Sequence, residues 1–336
     1  MENKKKATIK DICRETNLSI GTVSKYLNGG KLKEKNKILI EKAIEKYNYS
    51  IDFYAKAMIT KKTNCVGVVI PEFGNAFYGI LVTAISKCLR SNNYEVIVKE
   101  SNYDEKIEQL CIKWFIERKC DAIICLPTGN QTQFYKSLDY SNIIFVDNFI
   151  KGIDRDFVLV DNYEISKKGT KFLLGNGHTN IVGMFINNSY TSLERKRGFI
   201  DAYKESNLLP NDDLIIHIDE NVDEAYEKVD NLINQKKATA IFATSYISTL
   251  GSIFLINEKN LNVPEDISIM GFDNIMLTNL FKTKLTIINQ PIQELALTAV
   301  DLALKRINNP EKEHQTIILK CTLMEGNTIS NLNKGE

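Results

Sequence analysis

This 336-residue chain has no apolar run near the roughly 18–20 residues that a membrane span requires. Its first residues, Met1-Glu2-Asn3-Lys4-Lys5-Lys6, lead into mixed polar sequence, so no signal peptide is read there. Cysteines number only seven, at 13, 65, 88, 111, 120, 125 and 321, and none forms a CxxC pair. They read as reduced, buried thiols of a cytoplasmic protein, which excludes a disulfide framework or a thiolate metal site. The three histidines, 178, 217 and 314, lack metal-ligand spacing to one another or to cysteine. G-x-S-x-G, P-loop and G-x-G-x-x-G strings are missing too, so neither an enzyme nor a cofactor is expected. His178, after a helix end, is read as a local hydrogen-bonding group. The single Trp114, on one helix with Ile107 and Leu110, is read as core.

Net charge is scarce as well: 43 Lys+Arg against 42 Asp+Glu leave +1. That balance argues against a polyanionic partner until the charge is located. Residues 1–63 hold 15 basic and 7 acidic residues, net +8, while the remainder holds 28 and 35, net −7. A basic end on an acidic body is the asymmetry of a protein that meets nucleic acid at one end only. The length allows two or three domains. A charged fraction of 25% and a mean hydropathy of −0.20 are ordinary for a globular chain.

What is present begins with helix signals in the basic end. Thr8-Ile9-Lys10-Asp11 fits a capping box and predicts a helix from Ile9, with Ile9, Ile12 and Cys13 inward and a stop near Asn17. Ser19 caps a second helix, Ile20 to about Leu27, with Val23, Tyr26 and Leu27 inward, and Asn28-Gly29-Gly30 breaks it. A third, from about Glu34 to Tyr47, places Ile40, Ala43, Ile44 and Tyr47 inward and Lys35, Lys37, Lys42 and Lys46 outward. Two helices at a short turn braced by a third form a helix-turn-helix, whose second helix enters the major groove. Ser19 then aims backbone N–H groups at phosphate, with Thr22, Ser24 and Asn28 as short donors beside it. Base reading falls to Ile20 and Gly21 at the helix start and to Lys25 a turn later: Ile20 against a thymine methyl, Lys25 against guanine O6/N7. Packing on the first helix is the other use open to Ile20.

The strings Ala7-Thr8-Ile9-Lys10-Asp11-Ile12, Leu18-Ser19-Ile20-Gly21-Thr22-Val23-Ser24-Lys25-Tyr26-Leu27-Asn28 and Ala55-Lys56-Ala57-Met58 resemble the DNA-binding head of the LacI/GalR family of transcription repressors. The resemblance implies DNA contacts from Thr8, Ser19, Ile20, Gly21, Thr22, Ser24, Lys25 and Asn28, and from Ala55, Lys56 and Met58 in a hinge over 50–63. That hinge helix, Phe53–Met58 capped by Asp52, is implied to form on DNA, pair with its dimer mate in the minor groove and wedge Met58 into a base step. Lys25 replaces the family's usual arginine, a point charge in place of a bidentate fork. Ile51 and Asp52 replace its usual proline and asparagine.

From Cys65 onward short β-branched runs alternate with amphipathic stretches: 65–70, 94–98, 122–126 and 143–146, then 181–186, 214–218, 240–243 and 267–271. Such alternation predicts doubly wound parallel sheets with helices on both faces, in two similar lobes of about 100 residues, with a ligand cleft outside the strand carboxyl ends. The family resemblance continues through Asn75-Ala76-Phe77-Tyr78, Gly177-His178-Thr179, Arg195-Lys196-Arg197-Gly198-Phe199, Val263 to Asp273 and Leu285 to Pro291. It implies a dimerising, periplasmic-binding-protein-like body over 64–330, behind an all-α helix-turn-helix head over 1–49. Arg195 and Asp273 match the family's effector-binding arginine and carboxylate. Phe73 and Phe77 stand where the family supplies an apolar wall, and Asp147 and Asn162 lie at cleft-facing strand ends. Tyr246 and Asn274 replace residues that are commonly Asp.

The expectation is a cytoplasmic, homodimeric transcriptional repressor that binds near-palindromic double-stranded operator DNA and a small, sugar-like effector, with no membrane partner. Two other readings stay open. One is the same regulator with a degenerate cleft that answers to a protein partner, for which Tyr246 and Asn274 speak. The other is a solute-binding protein without DNA function, which would need a signal peptide.

Overall fold

In the computed structural model, which describes residues 7–27, 30–49, 62–219, 221–235, 238–273 and 284–335, the chain divides into two units, Met1–Thr63 and Asn64–Glu336. In the first, α1 (Ile9–Thr16) starts where the Thr8 backbone N–H donates to Asp11 Oδ2 at 2.9 Å, and it ends at Asn17 in the left-handed region (φ 53°). Helix α2 (Ile20–Leu27) opens with the Thr22 N–H donating to Ser19 Oγ at 3.3 Å, and α3 (Glu34–Tyr47) follows. Ile12, Val23, Ile40 and Ala43 meet in a core to which each helix contributes. Tyr47 departs from the expected inward stripe. It is exposed, and its hydroxyl joins Lys46 Nζ on the Glu15 carboxylate, at 2.8 and 2.7 Å, bracing α3 against α1.

The second unit holds two sheets. Lobe one contains β1 (Cys65–Ile70), β2 (Glu95–Glu100), β3 (Ala122–Cys125), β4 (Ile143–Val146), β5 (Asp156–Val160) and β11 (Thr316–Leu319), all parallel, in the order β11-β5-β4-β3-β1-β2. Lobe two contains β6 (Ile181–Ile186), β7 (Ile215–Ile218), β8 (Ala240–Ala243), β9 (Ser268–Phe272), β10 (Thr286–Asn289) and β12 (Thr322–Met324), in the order β12-β10-β9-β8-β6-β7. Only the β12 pairing is antiparallel.

Strand alternation distributes the core. From β1, Val66, Val68 and Ile70 pack under α4 (Ala76–Ser91) and α11 (Ile292–Asn308), while Val69 packs under α5 (Glu105–Glu117) and α6 (Thr132–Lys136). In lobe two, α7 (Asn162–Gly175) and α8 (Tyr190–Glu205) cover one face, and α9 (Val222–Asn234) and α10 (Tyr246–Glu258) the other. Gly198 lets α7 and α8 touch, since a Cβ there would lie 2.2 Å from the Tyr163 carbonyl.

The sequence pattern suggests two consecutive series; the chain instead interleaves them. After β10 it returns to lobe one, where α11 packs on α4 and β11 closes the sheet edge, and then ends in lobe two with β12. The carboxylate of Asp156, at the start of β5, receives Arg306 Nε and Nη2 at 3.0 and 2.7 Å, a buried ion pair that anchors α11. Strands β5, β10, β11 and β12 escape the sequence reading; for β11 and β12 the reason is their place at the sheet edges, where one face stays wet. His178 is also tied differently from expectation. Its ring bonds to Thr239 and Ser330, distant in sequence, rather than locally. Among the described residues no helix is long and apolar enough to cross a membrane.

Candidate DNA-reading helix and effector cleft

At the head, the first turn of α2 carries no acidic residue, so the open N–H groups and positive helix end face no carboxylate of their own helix. Ser19, Ile20, Gly21 and Lys25 are exposed. Ile20 keeps 52% of its surface accessible, against the option that it packs on α1. Thr22 Oγ1 lies 2.9 Å from Ser19 Oγ, and both Thr22 and Ser24 are half-buried. Thr8 is exposed, but its hydroxyl donates to Asp11 Oδ2 at 2.8 Å and serves the helix start. The Gly30 N–H donates to the Lys25 carbonyl at 2.8 Å, and a Cβ at Gly30 would lie 2.6 Å from Lys25 Cγ, so Lys25 needs a glycine there. Asn28, Ala55, Lys56 and Met58, with the hinge helix, lie outside the described residues, as does Asn274.

Between the lobes lies a cleft of about 550 Å³, within the usual range for small-molecule sites. Of the residues expected there, Phe77, Asp147, Arg195, Tyr246 and Asp273 line it. Phe73 does not: it is 56% exposed and sits outside the lining, its N–H on Glu100. Asn162 stands behind the wall, where its Oδ1 accepts from Arg195 Nε at 2.7 Å. Arg195 Nη1 donates to the Thr244 carbonyl at 2.7 Å, and its plane lies 3.9 Å over the Phe272 ring. Two edges and one face of the guanidinium are thus fixed before any ligand arrives.

The lobes present one carboxylate each from corresponding places. β4 and β9 are both third in their sheets, and each is followed by an aspartate in the left-handed region, Asp147 (φ 72°) and Asp273 (φ 79°). Each backbone N–H reaches the neighbouring strand, Asp147 to Val158 at 3.0 Å and Asp273 to Ile288 at 2.9 Å. Their side chains differ. Asp273 accepts from the Tyr246 N–H at 3.1 Å and from Gln290 Nε2. Asp147 Oδ1 is buried with no partner among the described residues, as are Gln290 Oε1 and Ser192 Oγ beside the same cleft. Burial pushes the Asp147 carboxyl up to about 6, with Arg195 opposing and Asp273 adding to the shift. Burial raises Asp273 too, against Arg195, Gln290 and the Tyr246 N–H.

Sequence reasoning missed Gln290 as a site residue although it stands in the Leu285–Pro291 stretch. It also missed Asn148, which joins the lobes: its Nδ2 donates to the Pro127 carbonyl at 3.1 Å and its Oδ1 accepts from the Thr191 N–H at 3.4 Å. Behind the Thr128–Gly129 wall sits buried Glu108. Its Oε2 accepts from the Thr128 N–H at 2.5 Å, and its Oε1 from Gln131 Nε2 at 2.6 Å and the Tyr135 hydroxyl at 2.5 Å. Burial pushes its carboxyl up to about 7, opposed by the Tyr135 and Thr128 bonds, with Glu105 adding to the shift. Among the described residues no group of three or more His, Cys, Asp or Glu is placed to hold a metal ion.

A helical head built as a helix-turn-helix and a two-lobed body with its polar cleft at the strand ends define a ligand-sensing DNA-binding protein. Residues 170–329 match the periplasmic binding protein-like domain family. Over its length the chain is 24% identical to the HTH-type transcriptional regulator GalR of Escherichia coli K12, covering 96% of each. It is 29% identical to catabolite control protein A of Priestia megaterium, covering 90% of this chain and 92% of that one. A lac repressor dimer bound to operator and the anti-inducer ONPF superposes with a TM-score of 0.83 at 19% identity, covering 97% and 100% of the two chains, a likeness of fold. Over nearly its whole length the chain is thus similar to transcriptional regulators of the LacI/GalR kind, and these relatives are regulators rather than enzymes.

Proposed function

We propose that this chain is a cytoplasmic, homodimeric repressor that binds a near-palindromic operator and responds to a small, hydroxyl-rich effector held between its lobes. One observation carries the reading: the same chain pairs an exposed helix edge, Ile20 to Lys25, with a cleft floored by Asp147, Arg195 and Asp273. Residues 1–49 read DNA, 50–63 link and 64–330 sense. Ile20, Gly21 and Lys25 contact bases, and Thr8, Ser19, Thr22, Ser24 and Asn28 set register on phosphate. Ala55, Lys56 and Met58 keep the minor-groove roles that the family resemblance implies. An effector with unequal affinity for two lobe arrangements shifts their balance and, through the paired hinges, operator affinity. The unpaired Asp147, Gln290 and Ser192 atoms favour a small ligand over a degenerate cleft, because leaving buried polar groups unmet costs stability.

Selection of bound sequences from a random DNA pool tests the first half. A two-fold symmetric site is expected, and recovery of unrelated sequences refutes it. Thermal melting with sugars, nucleosides and phosphorylated metabolites tests the second half. A cleft ligand at about 100 times its Kd adds roughly 2.7 kcal/mol, and no shift with any class counts against a small-molecule sensor.

A further inference from the structure

We propose that the effector carries a cationic amino group, seated on Asp147, on a small polyhydroxylated frame: an aminopolyol rather than a neutral or acidic sugar. This rests on reading the cleft as the effector site.

The first support is the broken symmetry of the two aspartates. Asp273 has its donors built in, from the Tyr246 backbone and the Gln290 amide, whereas Asp147, at the corresponding place in lobe one, has none among the described residues. Asp147 is only 8% exposed, so water is a poor substitute for the missing donor. One half of a matched pair is complete and the other waits for a donor from outside the chain.

A second support is the kind of atom left unmet. Gln290, 2% exposed, spends its Nε2 on Asp273 and shows the cleft only its carbonyl oxygen. Ser192, 3% exposed, adds a hydroxyl. Two of these three atoms can only accept. An ammonium supplies three donors and no acceptor, so it answers such a surface directly, and hydroxyls answer the rest. A carboxylate or phosphate would bring further acceptors to a place already rich in them.

Charge is the third. The charged residues lining the cleft, among those described, are Glu105, Asp147, Asp219 and Asp273 against Arg195 alone. Glu105 and Asp219 are exposed at the mouth. On the buried floor, two carboxylates face one guanidinium whose Nε and Nη1 are already spent on Asn162 and Thr244. One negative charge is left without a countercharge, and one positive charge on the ligand supplies it. The upward displacement of the Asp147 carboxyl, to about 6, agrees with a buried carboxylate lacking that cation.

The test uses the full chain and isothermal titration with frame-matched triads: glucosamine, glucose and glucuronate, then the galactose and mannose counterparts. In at least one triad the amine is expected to bind roughly 10- to 100-fold more tightly than its neutral member, the range of a charge-assisted hydrogen bond. Asp147→Asn should erase that preference, bringing the amine's affinity to or below that of its neutral member, while the melting temperature does not fall. Equal or tighter binding of the neutral member in every triad overturns the inference and leaves the effector cleft standing. Binding by none of the nine also overturns it, and if no other metabolite class shifts melting either, the cleft reading falls with it. Should the variant fail to fold, the wild-type amine-to-neutral ratio still decides.

Discussion

Replacing Glu108 by Gln should change how the body's stability depends on pH. The side chain is fully buried, and all three of its hydrogen bonds come from the 128–135 segment. Its folded-state carboxyl lies near 7, against 4.5 for the ordinary group. A raised carboxyl binds its proton more tightly folded than unfolded, so its stabilisation is complete below about 4.5 and is lost as pH climbs through 7. At about 1.4 kcal/mol per unit, the wild type should lose about 2–3 kcal/mol between pH 5 and 8 from this group, a loss the variant escapes. The protonated carboxyl keeps its network, because the Tyr135 hydroxyl can turn toward Cys125 Sγ, 3.6 Å away, and accept the new proton. Urea unfolding followed by the single Trp114, on the same helix, reads the body directly. The quantity to plot is variant minus wild-type stability against pH. It should rise with pH; a flat or falling difference refutes both the raised carboxyl and its stated cause.

Ile20→Ala should leave folding stability within about 0.5 kcal/mol, since the side chain is exposed, yet weaken specific DNA binding in a gel-shift titration. Lys25→Ala should cost about 1–3 kcal/mol of specific binding and relax one base position in a selected operator. Asp156→Ala leaves the Arg306 guanidinium buried without its counter-ion and should cost about 3–5 kcal/mol in urea unfolding of the full chain. Gly198→Ala forces a methyl onto the Tyr163 carbonyl and should cost about 1–3 kcal/mol in the same assay.

Local periodicity made the head legible: Ile9, Asn17, Ile20 and the Glu34–Tyr47 bounds follow from caps, left-handed stops and apolar spacing. The strands buried on both faces were legible for the same reason, as in 65–70, 143–146, 181–186 and 240–243. Helix α5 shows where such reading breaks down. Its spacing points to Ile107, Leu110 and Trp114 as the inner face, yet Leu110 is 64% exposed and Trp114 half-buried between Lys99 and Arg118. The buried face is Glu108, Cys111, Ile112 and Phe115. An apolar pattern cannot announce a buried glutamate, because its donors come from a segment 20 to 27 residues further on. In the cleft, Asp147, Arg195 and Asp273 were legible from strand ends and family resemblance. The demotion of Asn162 behind Arg195 and the exclusion of Phe73 depend on side-chain packing across strands, which residue spacing does not encode.

The return of the chain to lobe one has a consequence for how the protein is made. Helix α11 supplies Leu295, Ala296, Ala299, Val300 and Ala303 to a core whose strands, β1 and β3 to β5, are synthesised more than 130 residues earlier. On the ribosome, lobe one must therefore wait, its α4 face uncovered, until nearly the whole of lobe two has emerged. A nascent chain stopped after β10 should expose that apolar face to chaperones, and separate expression of the first lobe as 64–160 should give an insoluble product. Stretches adjacent in space are here the most separated in time, so the lobes mature together or not at all.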